Sequence, residues 1–259
     1  MEVSGDIGMP QVEVELPVRS SELKYADLVV GDGAPIGSET QNAIMTRVLV
    51  NGQTGEPIHS AVSVWSPESA TTELPGVDEA LTCATEGSRV VVAIPSADLP
   101  EGMANQVGLG AGKSLLAVYD IRYTLLPKAE GRDVFNTARG LPSVVRAPDG
   151  RPGIIIPDEA APKGAVVETL IEGEGETVGD GTAMFNHTAV GWSDRNVISS
   201  SWDGPVMLDA QSLPAEVGEA ISKATVGSQL MVIVPSESGE TTVHVVDVLG
   251  IIPEELTQG

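Results

Sequence analysis

The sequence predicts an α+β chain of two related units, each a mostly antiparallel sheet with one short helix laid across it. Three observations carry that expectation: a long internal repeat, a dominance of strand signals, and one helix signal in each copy. Ala80-Leu81-Thr82-Cys83-Ala84-Thr85-Glu86-Gly87-Ser88, running through Val92 to Pro95-Ser96, returns 140 residues later. The second copy reads Ala220-Ile221-Ser222-Lys223-Ala224-Thr225-Val226-Gly227-Ser228, through Val232 to Pro235-Ser236, with eight of 17 positions identical. Upstream, Gly31-Asp32-Gly33 with Ile36-Gly37 matches Gly173-Glu174-Gly175 with Val178-Gly179; downstream, Val118-Tyr119-Asp120 matches Val245-Val246-Asp247. Solenoid repeats run roughly 20 to 50 residues, so a period this long marks a duplicated domain.

The elements follow in chain order. Val12 to Leu16 alternates apolar and acidic residues, the pattern of a half-buried strand, and Pro17 ends it. Ile44 to Val50, Arg89 to Ile94 and Ser114 to Ile121 read as strands of the first copy. Thr182 to Val190, Gln229 to Val234 and Thr241 to Leu249 read as those of the second. Pro75 precedes a short helical signal from Gly76 to Leu81, and Pro214 precedes a longer one from Ala215 to Ala224. Proline at the first turn sacrifices no hydrogen bond, and Asp78, Glu79, Glu216 and Glu219 lie toward the ends where the helix dipole favours negative charge. Val217, Ile221 and Ala224 recur at i, i+4, i+7 and form the face expected against the sheet.

Residues 128–147 carry Gly, Pro, Arg and Asp without periodicity and read as a linker between a first domain, 1–127, and a second, 148–259. Gly8-Met9-Pro10, ahead of an alternating run and Pro17, resembles Gly150-Arg151-Pro152 ahead of Ile154-Ile155-Ile156 and Pro157. Each unit is therefore expected to carry an added N-terminal strand.

Composition narrows the function classes. The formal net charge is −23 with only 14 Lys plus Arg, spread as a solvated acidic surface. Such a surface is a poor partner for nucleic acid, whose binding rests on cationic neutralisation of phosphate, and for an anionic membrane face. The single cysteine, Cys83, rules out an internal disulfide framework and is expected as a small buried thiol. No apolar run reaches the roughly 18 residues of a membrane span. Glu2-Val3-Ser4-Gly5-Asp6 lacks the basic and apolar parts of a signal peptide, so the chain reads as cytosolic or as trimmed of an export signal.

Glu168-Thr169-Leu170-Ile171-Glu172-Gly173-Glu174-Gly175, followed by Trp192-Ser193-Asp194, Ser199-Ser200-Ser201-Trp202, Ala220 to Pro235 and Val245-Val246-Asp247-Val248-Leu249-Gly250, resembles an FKBP-type peptidyl-prolyl isomerase domain. The first copy is similar through Gly31-Asp32-Gly33, Thr54-Gly55-Glu56, Leu74-Pro75-Gly76 and Gly87-Ser88-Arg89. The resemblance implies two tandem FKBP-like domains, each a curved antiparallel sheet with one short helix. Tandem units poor in lysine and aromatics further resemble the exported, lipid-anchored FKBP-like proteins of actinobacteria. That likeness implies an extracytoplasmic, envelope-anchored protein, with the membrane reached only through an anchor not found in this sequence. The family reaction is rotation about an X–Pro amide, whose barrier of roughly 18–20 kcal/mol reflects lost resonance. It needs no nucleophile, metal or cofactor, only an aromatic pocket that binds the twisted amide better than either planar state.

Carried onto this chain, the pocket positions of that family are occupied by other residue types. In the second unit the floor Trp position falls on Val217, the wall Tyr on His187, the Phe-Asp pair on Ile198-Ser199 and the next Phe on Val206. The pair before the helix becomes Leu213-Pro214 and the last-strand Phe becomes His244. In the first unit the same positions are Arg47, Ile58-His59, Leu74, Val77 and Ala117. The flap is also altered. Five residues separate Pro235 from Thr241, and the 18 between Pro95 and Ser114 hold no tyrosine and read as a mobile surface loop or a lid.

Other motifs fall away. Gly108-Leu109-Gly110-Ala111-Gly112-Lys113-Ser114 ends like a phosphate-binding loop, but Val107 stands where a glycine is needed and a strand follows instead of a helix. His59, His187 and His244 have no zinc-ligand spacing. On the family alignment His187 and His244 meet across the second pocket and make it polar and pH-responsive. Ser199-Ser200-Ser201 has no base placed beside it, and Asn186-His187-Thr188 matches a glycosylation acceptor by pattern alone. The function expected is therefore an FKBP-family protein with weak or lost catalysis that binds unfolded or proline-containing polypeptides. The alternatives are a working isomerase that assists secreted proteins, and a non-enzymatic scaffold or adhesion module of two unrelated β-sandwiches.

Overall fold

The computed structural model describes residues 2–37, 41–66, 74–135, 138–204, 210–236 and 239–252. The chain divides into two compact units, Met1–Leu125 and Leu126–Gly259. Both are mostly antiparallel sheet with few helices.

The first unit runs β1 (Glu2–Ser4), β2 (Gln11–Glu13), β3 (Lys24–Val29), β4 (Ala43–Asn51), β5 (Pro57–Trp65), α1 (Val77–Leu81), β6 (Arg89–Pro95), α2 (Met103–Gln106) and β7 (Ser114–Thr124). Strands β3 to β7 form one sheet in the order β3-β6-β7-β4-β5, while β1 and β2 pair as a separate hairpin, Val3 opposite Val12. Successive strand residues face opposite sides of a sheet, and here both sides are covered. Met45, Leu49, Val90, Val92, Ala117 and Ile121 pack with Val77, Ala80 and Leu81 of α1. Val48, Val50, Val91, Leu116 and Val118 pack with Val3, Val12, Val14 and Val18 of the hairpin segment. Double cover explains why β6 and β7 read as nearly unbroken apolar runs instead of alternating ones.

The second unit repeats this plan with β8 (Gly131–Asp133), β9 (Ser143–Arg146), β10 (Pro152–Ile155), β11 (Val166–Gly173), β12 (Thr182–Gly191), β13 (Val197–Ser200), α3 (Ala215–Lys223), β14 (Gln229–Pro235) and β15 (Thr241–Ile252). Its sheet order, β8-β11-β14-β15-β12-β13, matches the first unit position for position and adds β8 at one edge. Val217, Ala220 and Ile221 of α3 lie on Phe185, Val232, Val246 and Val248. On the other face Val190, Trp192, Met231, Val243 and Val245 meet Val144, Ile154 and Ile156 of the β9–β10 hairpin. A helix packed on each sheet removes the alternative of two unrelated sandwiches.

The repeated Gly-x-Gly and Thr-x-Gly-Ser motifs form one clasp in each unit. Thr85 Oγ1 donates to Gly31 O at 2.7 Å and the Gly31 N–H donates to Ser88 Oγ at 3.0 Å. Thr225 Oγ1 donates to Gly173 O at 2.7 Å and the Gly173 N–H donates to Ser228 Oγ at 3.1 Å. A Cβ on Gly31 would stand 2.1 Å from Glu86 O, and one on Gly173 2.2 Å from Val226 O, so only glycine lets the two backbones approach.

Three expectations change. The expected linker, 128–147, is not free chain: β8 pairs with β11 and β9 with β10, so both strands belong to the second unit. The added N-terminal strand of each unit is a two-stranded hairpin. Cys83 is exposed, not buried. It ends α1 with a left-handed φ of 65° and gives its N–H to Ile36 O, a turn that swings the thiol outward.

Candidate functional site

Several of the positions that the family resemblance assigns to a pocket lie on the helix side of each sheet, Arg47 and Ala117 on β4 and β7 in the first unit and His187 and His244 on β12 and β15 in the second. In the second unit the structure brings His187 and His244 together. β12 and β15 pair antiparallel, with Ala189 opposite His244 and His187 opposite Val246, so the two imidazoles sit on the same face as Phe185 and Val248. His187 Nε2 and His244 Nδ1 are 2.9 Å apart, and the rings stack with centroids at 5.2 Å and an interplanar angle of 27°. Both are buried, 2% and 5% exposed. Burial lowers the pKa of His187; burial first, and then the nearness of His187, pushes His244 down to about 4. At neutral pH one neutral ring therefore donates to the other. Protonating both would set N–H against N–H. His244 Nε2 is itself buried without a hydrogen-bond partner among the described residues.

The other predicted residues of this unit separate into two groups. Val217 is fully buried under α3, with Leu213 partly buried beside the same cluster and Pro214 half-buried as the residue that caps the helix. Ile198 and Ser199 lie on the edge strand β13, where Ile198 is 62% exposed, so they do not converge with the histidines on an enclosed wall. Val206 lies outside the described residues. Ser201 Oγ donates to Asn186 Oδ1 and accepts the His187 N–H, so the Asn186 amide is engaged and buried, against a role as a glycan acceptor. Trp192 packs under the hairpin with its indole N–H on Glu159 O at 3.1 Å. Trp202 lies by Gly150, where an added Cβ would stand 3.2 Å from its ring.

In the first unit Leu74, Val77 and Ala117 are core residues, at most 2% exposed, while Ile58 and His59 are exposed on the edge strand β5. Arg47 takes the place of His187, opposite Tyr119, and no histidine answers it. The connection from β6 to β7, expected as a mobile loop or a lid, is folded down. Leu99 and Leu109 are buried in the helix-side cluster, with Met103, Ala104 and Val107 packed against it. Asn51 Nδ2 donates to Val107 O at 2.8 Å and pins α2 to the end of β4. Sequence reasoning missed this packing, and it missed Trp65 and Tyr119, buried aromatics of the same cluster. A signal existed: Leu99, Met103 and Val107 recur at i, i+4, i+8, an apolar spacing interrupted by Pro100 and Gly102.

Comparison with known proteins returned structural matches alone. No family model and no curated protein matches the chain. The solved structures it resembles are FKBP proteins. The three FKBP domains of wheat FKBP73 match at 12% identity and a TM-score of 0.38, over 89% of this chain and 94% of that one. The N-terminal domain of FKBP42 from Arabidopsis thaliana matches at 14% identity and a TM-score of 0.35, over 46% of this chain and 98% of that one. A peptidyl-prolyl cis-trans isomerase from Pseudomonas syringae pv. tomato matches at 13% identity and a TM-score of 0.33, over 42% of this chain and 82% of that one.

Proposed function

We propose that both units are isomerase-type scaffolds that bind extended polypeptide and have lost the pocket that twists prolyl bonds. The observation that carries this reading is the filling of the helix-side face. Val217 occupies the floor position at 0% exposure, and the wall and last-strand positions are locked in a histidine pair at 2.9 Å. In the first unit the connection that would arch over a substrate is instead packed into the core through Leu99 and Leu109.

The surface offered to polypeptide is the outer edge of each sheet. In β5, Ile58, Val62 and Val64 are exposed by 37%, 46% and 36%; in β13, Val197 and Ile198 by 63% and 62%. Each edge strand has one side paired, to β4 and to β12. Among the described residues no strand pairs with its outer side, which presents backbone donors and acceptors flanked by apolar side chains, the requirement for adding a peptide strand. An extracytoplasmic, envelope-anchored setting belongs to the same proposal and rests on the sequence resemblance.

The test is suppression of aggregation of a reduced, unfolded client, with acceleration of its proline-limited refolding measured in parallel. Binding without acceleration is expected, and Ile58→Lys together with Ile198→Lys should weaken binding while leaving stability within about 0.5 kcal/mol. Acceleration that survives at catalytic ratios of protein to client would contradict the reading.

A further inference from the structure

The two units treat one buried acid differently. In the first, Asp120 on β7 lies opposite Arg89 on β6, and the guanidinium donates to both carboxylate oxygens, Nε to Oδ1 at 2.6 Å and Nη2 to Oδ2 at 2.8 Å. The same guanidinium donates to the carbonyls of Ser4, Gly5 and Asp6 in the turn of the β1–β2 hairpin. Gly8 N–H completes the set on Asp120 Oδ2 at 2.6 Å. Arg89 is thus buried between a carboxylate and a turn of backbone oxygens, both of which a planar fork of N–H donors fits.

In the second unit the acid is kept and the fork is gone. Asp247 lies opposite Gln229 in the same register, buried to 1% exposure, and accepts Gln229 Nε2 at 2.7 Å and Ala129 N–H at 3.0 Å. Two cations, Arg146 and Lys128, line the same recess, with their charged ends on other acceptors. Arg146 donates to Gln229 Oε1 and Asp133 Oδ1, and Lys128 Nζ donates to Pro148 O. Between them lies a cavity of about 360 Å³. Asp247, Asp133 and Glu130 line it together with Arg146, Lys128 and Ala147, the last in the hairpin turn that answers Gly5. Burial raises the Asp247 pKa, against the opposing pull of the Ala129 and Gln229 hydrogen bonds and of the Arg146 charge.

We infer that this cavity is a binding site for a guanidinium group supplied from outside the unit, seated on Asp247 and the β9–β10 turn where Arg89 is seated in the first unit. The internal copy supplies the template: the same acid, the same strand pair and the same hairpin hold a guanidinium already. Replacing Arg89 by its counterpart Gln229 shortens the side chain and removes the charge, which leaves space beside Asp247, whose Oδ1 and Oδ2 each accept one hydrogen bond where Asp120 Oδ2 accepts two. The site is on the hairpin side of the sheet and does not depend on the reading proposed for the helix side.

Calorimetric titration of the full chain tests it with three probes: agmatine, a short unstructured peptide carrying one arginine, and the same peptide with norleucine at that position. Saturable binding of agmatine or the arginine peptide, and none of the norleucine peptide, is the expected result. Agmatine alone assigns the site to a free small molecule, and the arginine peptide alone assigns it to a polypeptide side chain. Gln229→Arg refills the recess as the first unit does, and should weaken binding by about tenfold or more while the variant unfolds no earlier than the parent. Asp247→Asn should do the same to binding. No saturation with either guanidinium probe, equal binding of the norleucine peptide, or undiminished binding to a folded Gln229→Arg variant would overturn the inference.

Discussion

Lowering the pH from about 7 to about 4 should unfasten the second unit through the histidine pair, by an amount the structure sets. His244 in the unfolded chain titrates near its ordinary 6.5, but in the folded unit burial and His187 hold it down to about 4. Between those values the unfolded chain binds a proton that the folded one refuses. Stability is therefore full above about 6.5 and falls as the pH drops toward the folded value. At about 1.4 kcal/mol for each pH unit, the loss is about 3 kcal/mol, and the lowered pKa of His187 acts in the same direction. Asp247 opposes it, since a carboxyl with a raised pKa gains stability on acidification. The measurement is urea unfolding across this range in a Trp65→Phe background, where Trp192 and Trp202 report on the second unit. The comparison is His187→Leu/His244→Leu, which removes both partners and strands neither. Its stability should vary with pH by about 3 kcal/mol less than that of the parent. Equal pH dependence in the two proteins would refute the reasoning.

Three further outcomes follow from the packing. Arg89→Met strands Asp120 in the core and should cost about 3–5 kcal/mol by urea unfolding, most of it recovered in Arg89→Met/Asp120→Leu. Leu109→Ala should cost the first unit about 2–5 kcal/mol if residues 96–113 are part of the core, whereas a free lid would register under about 0.5. Cys83 should react fully with a thiol reagent in native buffer; a requirement for denaturant would contradict its exposed placement at the end of α1.

Much of the scaffold was legible because the repeat preserves the residues that make it. Gly31 and Gly173 permit a close backbone approach, Ser88 and Ser228 fasten it, and Asp120 and Asp247 mark the same register on the last strand. The meeting of His187 and His244 was also legible, since alignment placed them on adjacent strands. The hairpins were half seen, because β1 and β9 are three or four residues long and too short to show alternation. Strands β5 and β13 carried little signal, as edge strands exposed along most of their length bury no continuous apolar face. Cys83 misled because its neighbours Leu81 and Ala84 are apolar. Its counterpart in the second copy is Lys223, and a lysine at the end of a helix marks a solvent-facing position. The exchange of Arg89 for Gln229 between the copies carries no signal by itself, and the strand pairing shows that one unit holds a guanidinium where the other holds a cavity.

The most direct measurement of the central claim is the cis–trans exchange rate of a short X–Pro peptide, followed by NMR with the full chain added at a tenth of the peptide concentration. With the helix-side face filled in both units, the exchange rate should stay at its uncatalysed value. A clear acceleration that is lost in Ile198→Asp, with the fold of that variant intact, would contradict the account.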